Sequence, residues 1–105
     1  MRMMMKVSIP VDTGNAAVAN GTLGTTIQSV LAEIKPEAAY FIAEDGVRTG
    51  YLFVNMADSS HMVALAEPWF LALNAAVSFT PAMSPQDLAA AAPYMEHAIK
   101  TYAKK

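Results

Sequence analysis

Three features of the sequence predict an α+β fold. Short segments of strand character lie at 3–11, 38–44, 47–56 and 76–80, apolar stripes at helical spacing lie between them, and Asp45-Gly46 joins the two middle strands. In chain order they read β-α-β-β-α-β-α, a ferredoxin-like βαββαβ with an added C-terminal helix. In that order right-handed crossovers put both main helices on one face of a four-stranded sheet, so the other face needs its own cover.

The first strand, 3–11, is rich in Met, Val and Ile, and Pro10 bars ladder pairing at its end. The first helix carries Leu23, Ile27, Val30, Leu31 and Ile34 on one side and stops at Lys35-Pro36. Gly14, Gly21 and Gly24 weaken its front half, which leaves residues 15–20 as a separate turn. Asp45-Gly46 tolerates positive φ and suits a two-residue type I′ hairpin. Pairing Glu44 with Val47 places Tyr40, Ile42, Tyr51, Phe53 and Asn55 on one face, with Ala39, Phe41, Gly50, Leu52 and Val54 on the other. Both faces are apolar, and the first is aromatic with polar tips.

Asp58 is placed to cap a helix bearing Met62, Leu65, Ala66, Trp69 and Leu73 on one side, with a kink or restart expected at Pro68. Residues 76–80 alternate and end at Pro81. Ser84-Pro85-Gln86-Asp87 then opens a helix with Leu88, Ala92, Met95, Ile99 and Tyr102 at helical spacing, which Pro93 is expected to split.

A chain of 105 residues, 54% hydrophobic and 15% charged, is the size and composition of one folded domain, 1–105, and excludes disorder. Twenty of its residues are alanine, so the larger apolar side chains suffice for one core and not two. A net charge of -2, with Lys and Arg scattered, offers no basic face, and no nucleic-acid partner is expected. Zero cysteines remove disulfides, thiolate nucleophiles and Cys-ligated metals. Lys6 interrupts the apolar start before a signal core can form, and the longer uncharged stretches are broken by Gly, Pro and polar residues. A cytoplasmic location without membrane association is expected.

In the blocks Ile9-Pro10-Val11 with Gly14-Asn15-Ala16-Ala17, Lys35-Pro36-Glu37-Ala38-Ala39-Tyr40-Phe41, and Ala66-Glu67-Pro68-Trp69-Phe70-Leu71-Ala72, the chain resembles the dimeric α+β barrels. The likeness is to a family of uncharacterised bacterial proteins of similar length, over nearly the whole chain. The resemblance implies a homodimer with sheet packed on sheet; it carries over no catalytic residue. Relatives of that architecture include cofactor-free monooxygenases, lactone isomerases, stress-response barrels and haem-degrading enzymes. Haem degradation there uses a first-strand Asn and a ligating His, whereas this first strand offers Met4, Lys6 and Ser8.

Among the motifs, Asp12-Thr13-Gly14 matches the aspartic-protease signature, but the Gly/Ala/Thr stretch that follows leads into a helix; a helix cap with a turn at Gly14 is expected. Gly21-Thr22-Leu23-Gly24 lacks the lysine and spacing of a phosphate loop. Asp58 and His61 have metal-compatible spacing without a third ligand, and no metal or cofactor is expected. His97 reads as a surface residue.

The candidate ligand-binding residues are Tyr40, Tyr51 and Asn55, whose polar tips on an apolar face need partners, with His61 and Trp69 at the end of the same cavity. The expected function is a homodimer holding a small apolar or aromatic metabolite between sheet and partner. The alternative is a cofactor-independent enzyme, monooxygenase- or isomerase-like, acting on an aromatic or lactone-like substrate, with His61 or Tyr40 as base and Asn55 orienting a carbonyl.

Overall fold

The computed structural model describes residues 1–103. Its elements are β1 (Arg2–Ser8), α1 (Val11–Ala19), α2 (Leu23–Ile34), β2 (Ala38–Glu44), β3 (Val47–Asn55), α3 (His61–Leu73), β4 (Ala76–Pro81), α4 (Pro85–Ala90) and α5 (Ala92–Tyr102). The four strands form one sheet in the order β2-β3-β1-β4, with each neighbouring pair antiparallel. That topology is compatible with the ferredoxin-like arrangement: β1 and β2 run parallel with β3 between them, and β3 and β4 run parallel with β1 between them.

Period-two alternation sorts the sheet into two faces. Met3, Met5 and Val7 of β1 lie opposite Val54, Leu52 and Gly50 of β3, and all six are buried. They meet Val30 of α2 and Leu65, Trp69 and Leu73 of α3 in one core cluster, with Leu23, Ile27, Leu31 and Ile34 packed at its margin. Both main helices therefore cover the same face, as their apolar stripes require. The hairpin follows the expected register, Glu44 opposite Val47 and Tyr40 opposite Tyr51. Asp45 and Gly46 take φ of 52° and 77°, the two positive values a type I′ turn demands.

Several local expectations change. The first strand ends at Ser8, because Pro10 begins a helix and Val11 is already helical. Residues 11–19 form α1, separated from α2 by a break at Gly21, whose φ is 77°. Gly14 makes no turn. It is buried inside α1, where an added Cβ would come within 2.7 Å of Arg48 Nη1, and the same nitrogen donates to Asn15 Oδ1 at 3.0 Å. Pro68 neither stops nor restarts α3, which runs unbroken from His61 to Leu73. The four residues before Pro68 include Leu65 and Ala66, whose burial holds the helix across the missing N–H. Pro93 does mark a break, between α4 and α5.

After β4 the chain leaves the body. Ser84 and Asp87 form a reciprocal capping box at the start of α4, and no residue of α4 or α5 is buried. The radius of gyration is 17.8 Å and the extents are 63 × 28 × 21 Å. A compact chain of this length has a radius of gyration of about 13 Å.

Candidate functional site

The sheet face opposite the helices carries Met4 and Lys6 from β1, Tyr40, Ile42 and Glu44 from β2, and Tyr51 and Phe53 from β3. Tyr40 is 64% exposed and Ile42 47%, while Met4, Lys6, Tyr51 and Phe53 are half-buried among their neighbours. The face is an apolar surface with one polar cluster set into it.

That cluster is Lys6, Glu44 and Tyr51. Register places Lys6 opposite Tyr51 and Tyr51 opposite Tyr40, and Glu44 projects from the same side of β2. Lys6 Nζ donates to Glu44 Oε2 at 2.5 Å, and the Tyr51 hydroxyl donates to Glu44 Oε1. Hydrogen bonds from Lys6 and then Tyr51 hold the Glu44 carboxyl below its usual range. The same contacts raise both donors: Glu44 is the main cause for the Lys6 ammonium and for the Tyr51 phenol, with burial adding to the latter.

Asn55 sits at the other end of β3, exposed, where its Oδ1 accepts from the N-terminal ammonium of Met1 at 2.8 Å. Beside it Arg2 Nε pairs with Glu37 Oε1 at 2.5 Å and Arg2 Nη1 approaches Asp87 at 3.7 Å, so this end is a rim of ion pairs. His61 opens α3; its Nδ1 accepts from the Ala57 backbone N–H at 3.1 Å, which leaves Nε2 as the ring's donor. Asp58 accepts from the His61 N–H and the Ser60 hydroxyl, and these bonds, the Ser60 hydroxyl first, lower its carboxyl. Both bonds fall on Oδ1, and the cap position of α3 is Ser60 rather than the expected Asp58.

Trp69 lies on the other side of the sheet, fully buried in the core, and its Nε1 has no hydrogen-bond partner among the described residues. The structure thus pairs Tyr40 with Tyr51, joins Tyr51 to Lys6 and Glu44, keeps Asn55 on the same face but at the far end of β3, and sets His61 and Trp69 apart. Lys6 and Glu44 carry a signal that parity alone contains for Glu44; for Lys6 the long-range β1–β3 register was needed.

A groove opens at the β2 edge, mostly on the helix side. It has a volume of about 310 Å³ and is walled by Ile9, Leu23, Ile27 and Phe41, with Arg48 and Thr49 as its polar members. Asp12 is exposed and already inside the first turn of α1, accepting from the Thr13 N–H at 2.9 Å; the cap position is Pro10, not the expected Asp12 or Thr13, because the helix starts at Val11. His97 is exposed on α5. Among the described residues no helix is long and apolar enough to cross a membrane. Comparison with protein-family models, curated proteins and solved structures finds no match to the chain.

Proposed function

We propose that the protein is a homodimer of the dimeric α+β barrel kind, in which two open sheet faces close on each other and hold a small, flat, mostly apolar molecule. The observation that carries this reading is the uncovered face itself: Tyr40, Ile42, Met4 and Phe53 surround a polar cluster whose internal bonds are already satisfied. Exposed apolar surface of this kind, rimmed by ion pairs, marks an association site. Glu44 takes one of the three donors of Lys6, which leaves the ammonium able to hold a carbonyl or carboxylate of a ligand stacked on the tyrosines.

The test is sedimentation followed by native mass spectrometry of the purified protein. The expected mass is about 22 kDa, twice the chain's 11.2 kDa, with a carried aromatic or lactone-like molecule whose binding shifts the NMR signals of Tyr40 and Tyr51. Shifts confined to Leu23, Ile27 and Phe41 would move the ligand to the groove on the other face and overturn this site.

One observation favours the enzyme reading as well: Lys6, Glu44 and Tyr51 form a continuous hydrogen-bonded relay of titratable groups. In a closed cavity the Glu44 carboxylate, held ionised, would serve as the base and the Lys6 ammonium would stabilise the negative charge that develops on a small aromatic or lactone-like substrate during isomerisation without a cofactor. Turnover abolished by Glu44→Gln, with binding retained, would select this reading over simple binding.

A further inference from the structure

The arm formed by α4 and α5 has a fixed root and an unmet apolar stripe. At the root, Pro81 pairs with Met3, the Ala82 N–H donates to Arg2 O at 3.1 Å, and Arg2 reaches Asp87. The capping box at Ser84 then starts the helical run. Beyond it, on α5, Met95 is 49% exposed, Ile99 61% and Tyr102 78%, at positions i, i+4 and i+7 of one helical side, and Leu88 on α4 is 50% exposed. An 11-residue helix such as α5 does not hold itself in water; helices shorter than about 12–15 residues are marginal when alone.

We infer that this arm is an exchange arm, with α5 of each chain packing its Met95–Ile99–Tyr102 stripe on the body of a second copy. The inference rests on the homodimer reading and adds to it which segment joins the copies. Area supports a second copy as the occupant. The chain exposes 7013 Å², whereas a compact protein of its mass exposes roughly 5,700 Å². The surplus of about 1,300 Å² per chain is what one partner contributes to a permanent homodimer interface. The body has surface to receive it away from the sheet face that closes the dimer, since Val63 and Leu71 on the outer side of α3 are 61% and 85% exposed. A membrane is a poorer occupant, because α5 balances Glu96 against Lys100 and lacks a basic polar face.

The test is hydrogen exchange by mass spectrometry on the full-length protein, at concentrations above and below its dimer dissociation constant, for wild type and for Met95→Glu/Ile99→Glu. The expected result is protection of the α5 amides in the dimer, lost on dilution. The double variant loses that protection and weakens dimerisation by roughly tenfold or more, while the amides of β1 and β3 keep theirs. A wild-type dimer whose α5 amides exchange freely, or whose dissociation constant the double variant leaves unchanged, overturns the arm and spares the dimer. A wild type that stays monomeric at tens of micromolar overturns both, and α5 amides protected in a monomer would show the arm packed on its own chain and overturn the exchange.

Discussion

The ring of Phe41 lies over Gly50 across the β2–β3 ladder, close enough that a Cβ on Gly50 would stand 2.9 Å from Phe41 Cε1 and 3.2 Å from Leu52 Cδ1. The glycine is what lets an edge-strand aromatic cover the helix side of the sheet where the helices fall short. Gly50→Val is expected to destabilise the fold by about 1–3 kcal/mol through overpacking. The cost should shrink when Phe41 is alanine, so a double-mutant cycle in urea measures the pair. Strict additivity would show that the ring does not rest there.

Tyr51 and Lys6 predict the alkaline behaviour. Both are raised in the folded protein, chiefly by Glu44, from reference values of 10.0 and 10.5. Each therefore supports the fold below those values and ceases to do so as pH climbs through the higher folded ones. In a phenolate absorbance titration, one of the four tyrosines should ionise late, and Tyr51→Phe should delete that component. An unchanged alkaline limb in the variant would break the assignment.

Acid acts through the opposite set. Glu37 is lowered by Arg2, Glu44 by Lys6 and Asp87 by the Ser84 backbone, against reference values of 4.5, 4.5 and 3.8. Their support is complete above those references and is lost as pH falls through the lower folded values. Stability measured by denaturant should be level between neutral pH and about pH 5, then decline. Glu37→Gln and Asp87→Asn should flatten the decline, as should high salt, since the pairs are exposed. A decline that begins near neutrality and survives both variants would place its cause elsewhere.

The legible parts of this fold are those written locally. Asp45-Gly46 set the hairpin register, so the Tyr40–Tyr51 pairing followed from counting, and Ser84 to Asp87 announced their capping box. Pro68 misled because a helix-breaking preference is a local cost, and the burial of Leu65, Ala66 and Trp69 on either side of it outweighs that cost. Gly14 suggests a turn by its backbone freedom, but its use is clearance for Arg48, which the local sequence does not reveal. The Lys6–Glu44–Tyr51 cluster needed the β1–β3 pairing, which no short-range pattern encodes. Trp69 falls on the helix side because the α3 stripe that carries it faces the core, so its spacing already held that answer.

Trp69 is the chain's one tryptophan, fully buried, with an indole N–H that bonds to nothing among the described residues. Two effects compete at this position: the ring fills the core between sheet and α3, and its unpaired donor subtracts from that gain by roughly 1–3 kcal/mol. Trp69→Ala empties the site and should cost about 3–5 kcal/mol. Trp69→Phe loses part of the volume but also removes the orphan donor, and its cost should stay below about 2 kcal/mol. A Trp69→Phe cost clearly above about 2 kcal/mol would mean that the N–H is bonded in solution. The same burial makes the native emission blue-shifted and shielded from iodide. A ligand held on the opposite face at Tyr40 and Tyr51 should leave that emission in place while changing the tyrosine signals. Quenching or a red shift of Trp69 on ligand addition would put the ligand on the helix side of the sheet.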